Sequence, residues 1–352
     1  MATKKRNEAE PEAETHVSNG GSHEKKKKKK HKTRDKEQKS FVADGDDVTP
    51  PTVTIALPGS IIDNTQSFEL ATRLAGQIAR AATIFRIDEV IIFDNQSESM
   101  ADSDVTPKDT SDENESGAAF LIRILKYLET PQYLRKALFQ KHNSLRFVGL
   151  LPPLDAPHHL RKHEWGPYRE GVTLMQQAPS SGSTLVDVGL SKNVVIDQAL
   201  EPGTRVTLAM GTNRRLDDEP RAVVSSSKPR EEGMYWGYKV RYAANISLAL
   251  NGCPYKGGYD YLIGTSEHGN IVKSSELRLP SFRHLLIAFG GLAGLEECVE
   301  VDKNLKGKKP RDIFNTYLNI CPHQGSRTIR TEEAIFICLQ YFQEPIDRVL
   351  HA

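Results

Sequence analysis

Arg327 and Arg330, followed by Glu332 and Glu333, put two cations and two carboxylates at the opening of a helix. That is more polar machinery than a helix start requires. They belong to the stretch Ile320-Cys-Pro-His-Gln-Gly-Ser-Arg-Thr-Ile-Arg-Thr-Glu-Glu-Ala334. A β-branched apolar run, Ile313 to Ile320, leads into it, and a turn containing Pro322 and Gly325 follows. An amphipathic helix is then expected from about Thr328 to Phe342, with Ile329, Ala334, Ile337, Cys338 and Tyr341 on one side. A strand that breaks into a glycine-containing turn and opens a helix offers free backbone N–H groups and close approach to a ligand.

Two other stretches repeat this design. Tyr259 to Gly264 reads as a strand ending at Thr265-Ser-Glu-His-Gly269, and Arg283 to Phe289 as one ending at Gly290-Gly-Leu-Ala-Gly-Leu-Glu296. If the three strands are parallel and adjacent, their loops share one carboxyl edge and form one pocket. None matches GxxxxGK[ST], GxGxxG with a ribose-binding acid, or a GxSxG elbow, which argues against a nucleotide hydrolase and a Rossmann dehydrogenase.

Other elements must position these loops. Val53 to Leu57 reads as a buried strand, followed by a helix to about Phe85 capped by Asp63, Asn64 or Thr65 and carrying Phe68, Ala71, Ala75, Ile78 and Ala82 as its apolar stripe. Ile87 to Phe93 supplies a second strand, so this β-α-β start predicts a parallel pair. Asn95 to Gly117 reads as an acidic, serine-rich insertion, and helices resume over Ala118–Leu128 and Pro131–Phe139. From about Leu145 to Tyr242 the chain is rich in Gly, Pro and β-branched residues, with short strand candidates ending in Trp236–Tyr242; this spacing suggests a small β-barrel, OB-like or similar. Basic and aromatic residues interleave there: Arg161, Lys162, Trp165, Tyr168, Arg169, then Tyr235, Trp236, Tyr238, Lys239 and Arg241. Such a mixture can stack bases and meet phosphates.

The chain of 352 residues suffices for one large or two modest domains. Its net charge of +1 conceals a basic run, Lys25 to Lys30, in a tail of about 48 residues whose composition reads as disordered. Such a run suits a nuclear address or a polyanion anchor. No apolar run is long enough to span a membrane, and no secretory signal opens the chain. Cys253, Cys298, Cys321 and Cys338 are scattered without CxxC spacing, which suggests a reducing compartment and no zinc ribbon. His158, His159 and His163 lack companion ligands, so no metal is expected.

The three loops resemble the cofactor cleft of the SPOUT class of RNA methyltransferases. The resemblance is to the eukaryotic SPOUT domain-containing family, some of whose relatives are spindle- or kinetochore-associated. It is carried by Val53-Thr-Ile-Ala-Leu-Pro-Gly-Ser60, Leu74-Ala-Gly-Gln-Ile-Ala-Arg80, Pro131-Gln-Tyr-Leu-Arg-Lys-Ala137, Tyr235-Trp-Gly-Tyr238, Ile263-Gly-Thr-Ser-Glu267, Phe289-Gly-Gly-Leu292 and Gly325-Ser-Arg-Thr-Ile-Arg-Thr-Glu-Glu-Ala334. The last motif also resembles the Gly-x-Arg-x-Leu-Arg-x-Glu-Thr-Ala element of bacterial enzymes that methylate uridine N3 in ribosomal RNA, with Glu333 in place of the Thr.

The resemblance implies an α/β, trefoil-knotted methyltransferase domain over 49–144 and 243–352, an inserted OB-like RNA-binding domain over 145–242, and a disordered Lys-rich tail over 1–48. It implies S-adenosylmethionine as cofactor, held by Thr265, Gly290, Gly291, Ile320, Cys321, Pro322, Gly325, Thr328 and Ile329, and a homodimer acting on RNA, ribosomal RNA foremost. Arg327 and Arg330 would hold substrate phosphate or developing negative charge; Glu267 and Glu333 would act as base or orient the arginines. A helix-start salt bridge is the plainer reading of each Arg–Glu pair. The implied location is the nucleus or nucleolus, with spindle, kinetochore or cytoplasm as the alternative. The competing function is a non-catalytic RNA-binding or mitotic scaffold that keeps the fold.

Overall fold

A computed structural model describes residues 50–94, 115–177, 182–216 and 219–351. The Lys-rich tail and residues 95–114 of the expected acidic insertion lie outside the described residues. Strand β1 (Thr52–Pro58) is buried along its whole length, as an apolar run covered on both faces must be. Residues Gly59–Ile62 then form a 3₁₀ turn, which delays helix α1 to Phe68–Ile84. Its cap is therefore Ser67, whose hydroxyl accepts from the Leu70 N–H at 3.2 Å, rather than Asp63, Asn64 or Thr65. Ala71, Ala75, Ile78 and Ala82 of the expected stripe are buried, while Phe68 is exposed.

β2 (Glu89–Phe93) pairs in parallel with β1, as the β-α-β start predicts. Helices α2 (Gly117–Glu129) and α3 (Gln132–Leu138) follow. An antiparallel sheet is then built from β3 (Tyr168–Gln177), β4 (Thr184–Asp187), β5 (Val194–Ile196), β6 (Arg205–Ala209) and β7 (Ala222–Val224), in the order β5-β4-β3-β6-β7. It curls: the Arg221 N–H, beside β7, donates to the Val195 carbonyl of β5 at 2.7 Å. Val186, Val188, Val194, Ile196, Val206, Leu208 and Met210 fill its own small core. The short helix α4 (Lys228–Glu231) leads out.

The expected barrel strand Trp236–Tyr242 is corrected here. β8 (Lys239–Ala243) pairs in parallel with β2, from Glu89↔Lys239 to Phe93↔Ala243. Val240 and Tyr242 alternate onto the main core, which holds them there. The boundary expected at 242 thus falls inside the parallel sheet.

After α5 (Ile246–Asn251) come β9 (Tyr261–Ile271), β10 (His284–Ala288), α6 (Gly294–Val301), α7 (Pro310–Ile313), β11 (Thr316–Asn319) and α8 (Thr331–Leu350). The parallel sheet runs β11-β9-β10-β1-β2-β8. Ile55 and Leu57 pack with α1, α2 and α8 on one face, and Ala56 packs with α5 and α6 on the other, the two-residue alternation of a strand. The apolar side of α8 differs from expectation. Ile335, Cys338, Leu339, Phe342 and Ile346 form the buried stripe, Ile337 is 37% exposed, and Ile329 precedes the helix.

Candidate active site

β9, β10 and β11 are adjacent and parallel, and the loops after β10 and β11 meet at one edge with residues 265–269, which the sequence suggested as a loop but which lie within β9. The β9–β11 register jumps from Gly264↔Tyr317 to Asn270↔Leu318. Residues 265–269 therefore have no partner on β11 and bow out as a wall. Glycine is needed where this bulge rejoins the ladder: a Cβ on Gly269 would lie 2.1 Å from the Leu318 carbonyl carbon. The loop after β10 doubles back just as tightly, since a Cβ on Gly290 would lie 2.2 Å from the carbonyl carbon of Gly294. Gly291 has more room, its nearest neighbour being Pro58 Cγ at 3.4 Å.

These loops and the first turn of α8 enclose a cavity of about 280 Å³. Thr265, Gly290, Gly291, Ile320, Cys321, Thr328 and Ile329 line it, as does Glu267. Pro322 and Gly325 do not; Gly325 is exposed, with nothing within 4 Å of the place a Cβ would take. Among the arginines and glutamates of the helix start, Arg327, Arg330 and Glu333 also lie off the wall. The Glu333 carboxylate accepts the Arg330 backbone N–H at 3.0 Å, three residues back, as a capping group does. The Arg330 guanidinium pairs with Glu332 at 2.6 Å, and both line a second pocket with Leu70, Arg73 and Gln77. Arg327 is exposed, and its side chain meets no partner among the described residues.

Side chains that the sequence did not single out hold the loops together. Thr331 Oγ1 donates to the Gly290 carbonyl at 3.0 Å, pinning α8 to the β10 loop. Asn319 donates from Nδ2 to the Glu267 carbonyl at 2.9 Å and accepts the Cys321 N–H at 3.1 Å. Glu296 lies on the wall and accepts from Ser266 Oγ at 2.8 Å and from the Tyr317 hydroxyl at 2.5 Å. Partial burial would raise its carboxyl, but the hydrogen bonds from Tyr317, its own backbone and Ser266 outweigh this and hold it below the usual carboxylate range. Burial pushes the Cys338 thiol well up, which makes it an inert floor rather than a nucleophile. Apart from the local Asn319–Cys321 bond, none of these was legible from spacing, because each joins residues more than 20 positions apart in the chain.

The lining combines apolar surface, backbone polar groups and negative charge. Phe289, Leu292, Ala293, Ile320, Ile329 and Ile337 supply apolar contact, the loop backbones supply donors and acceptors, and Glu267 and Glu296 supply negative charge. No group of three or more His, Cys, Asp or Glu arranged to hold a metal occurs among the described residues. His158 and His159 both bond the Glu129 carbonyl, at 2.8 and 2.7 Å.

The interleaved basic and aromatic residues are mostly committed to structure. Arg169 is buried and donates to the Val188 carbonyl, Tyr238 is buried with its hydroxyl on the Leu125 carbonyl, Trp236 donates to Glu170, and Arg241 pairs with Glu89. Arg161, Lys162 and Lys239 remain exposed.

Residues 52–342 match the profile of a family described as "Putative RNA methyltransferase". The chain is 46% identical over 313 residues to a Homo sapiens protein named 28S rRNA (uridine-N(3))-methyltransferase, covering 88% of this chain and 82% of that one. It is 45% identical over 309 residues to a Drosophila melanogaster protein of the same name, covering 86% and 64%. It is 27% identical over 318 residues to an uncharacterized Halobacterium salinarum protein, covering 82% and 97%.

Proposed function

The chain belongs to the RNA methyltransferase family matched over residues 52–342, and from that premise we propose that it transfers a methyl group from S-adenosylmethionine to N3 of a uridine in ribosomal RNA. The observation that carries the reading is the convergence of the β9, β10 and β11 loops with the start of α8 on one cleft. The relatives named as uridine-N3 methyltransferases support the choice of atom and of RNA.

When bound, the cofactor supplies a methyl group on a sulfonium, open to in-line attack. The chain's part is to hold the uridine aligned and to take its N3 proton. Glu267 is the better candidate for the base. It stands on the cleft wall, and its side chain is 63% exposed and so within reach of an incoming base. Glu333 is occupied by its capping bond, so its role is to fix the helix start. Arg327, whose side chain meets no protein partner among the described residues, suits the uridylate charge or a flanking phosphate. Arg330, paired to Glu332, is a positioning residue that shapes the same turn. Glu296, on the cleft wall, would add a fixed negative charge toward a cationic cofactor.

The same reading includes the knotted topology, a barrel-like insert built on β3 to β7, a nuclear or nucleolar location and a homodimer. The Arg221–Val195 bond that draws the two edges of the antiparallel sheet together supports the barrel. Leu70, 46% exposed and lining the pocket beside Arg330, supports a second copy completing this side of the cleft. Calorimetry of S-adenosylmethionine binding tests the pocket. Wild type should bind and Gly291→Trp, which fills the cleft, should not; equal binding by both would sink the assignment.

A further inference from the structure

The connection between α6 and β11 carries Lys303, Lys306, Lys308, Lys309 and Arg311, all exposed. Two acids flank them, and both are spent on backbone. Asp302 is buried and accepts the N–H groups of Ser247 and Asn304, at 2.8 and 2.9 Å. Asp312 accepts the Lys309 N–H at 2.8 Å. The ammonium group of none of the four lysines meets a side-chain partner among the described residues.

The loop is built rather than loose. Leu305 is buried in the core on the α5–α6 face. The Lys308 N–H donates to the Leu305 carbonyl at 2.9 Å, with Lys306 at φ −50°, ψ 125° and Gly307 at φ 80°. That is a type II turn, whose third residue needs glycine's freedom. It projects Lys306 and Lys308 while the anchors stay inside. Arg311 ties the far end to the wall of the cleft. Its guanidinium donates to the Asn270 side chain at 2.8 Å and to the His268 carbonyl at 2.9 Å, and lies 5.9 Å from the Tyr317 ring centre.

We propose that Lys303–Lys309 is a docking strip for the phosphates of the RNA strand whose base enters the cleft. This deepens the function proposed above and rests on it for the identity of the polyanion. Like charges crowded at this density repel each other unless an anion joins them, and a phosphodiester chain offers a row of anions. The strip is held to the bulge at 265–269, which carries Glu267, so a strand bound there would run past the proposed base.

The test uses the full chain and a fluorescent single-stranded oligouridylate, with affinity measured by anisotropy over a potassium chloride series. Replacing Lys306, Lys308 and Lys309 together by Ala should weaken binding about tenfold at moderate salt and lower the slope of log K against log salt by about 2, near 0.7 per lost phosphate contact. The triple Lys→Arg variant should keep the wild-type slope, and Lys308→Ala alone should lose about a third of the effect. An unchanged slope and affinity in the triple Ala variant would overturn the strip. So would an equal loss in the Lys→Arg variant, which would mean the loop's shape and not its charge matters. A wild type with a loop-dependent salt slope but no methyl transfer would sink the proposed function and leave the strip standing.

Discussion

Gly290 and Gly291 are neighbours in sequence with different tolerances. A methyl group on Gly290 runs into the backbone of Gly294, which cannot swing aside as a side chain can. Gly290→Ala should therefore cost about 2 kcal/mol of stability, whereas Gly291→Ala should stay within about 0.5 kcal/mol; urea denaturation separates them. The two glutamates divide in the same way. Glu333→Ala removes a capping acceptor and should cost about 1 kcal/mol, with a modest effect on turnover. Glu267→Gln should leave stability and cofactor affinity intact and lower the rate of methyl transfer by roughly 10²–10⁴-fold. A turnover loss larger at Glu333 than at Glu267 would reverse the assignment.

At the scale of elements, the first parallel pair and the clustering of three cleft segments were legible, because short hydrophobic runs each ended in small, turn-forming residues. The phase of α8 was not. Ile329, Ala334, Ile337 and Tyr341 fit a helical stripe only if the helix begins near Thr328. Glu333 caps the chain at Arg330 instead and starts the helix at Thr331. Packing against the main core buries Ile335, Cys338, Leu339, Phe342 and Ile346, while Ala334 and Ile337 line the cleft. Phe342→Ala should cost about 3–5 kcal/mol. Ile337→Ala should leave stability nearly unchanged and weaken cofactor binding, since Ile337 lines the cleft. The strand at Lys239–Ala243 was misplaced for a related reason. Alternating Val240 and Tyr242 fit either sheet, and only the long-range pairing with β2 decides between them.

At the scale of the molecule, a largely buried charge network joins the antiparallel sheet to helix α2, which packs on the parallel sheet. Arg205 of β6 donates to Glu129 at the end of α2 at 2.6 Å and to Glu170 of β3 at 2.8 Å, and His158 bonds Glu129 as well. Burial alone would raise the Glu129 carboxyl, but the His158 hydrogen bond and the Arg205 charge outweigh it and hold it at about 2, against an ordinary value of 4.5. Its contribution to stability is complete above about pH 4.5 and is lost as the pH falls toward 2. Denaturation at a series of acid pH values should show this loss in wild type and a shallower one in Glu129→Gln. Arg205→Ala, which leaves two carboxylates facing each other, should cost roughly 3 kcal/mol at neutral pH. None of this network was visible in the sequence, where its members lie 12 to 76 residues apart. The site and the frame that holds it serve one proposed reaction. Its most direct test is nucleoside mass spectrometry of large-subunit ribosomal RNA from cells lacking this protein. N3-methyluridine should disappear from one position and return with wild type but not with Gly291→Trp; an unchanged level in the absence of the protein would contradict the account.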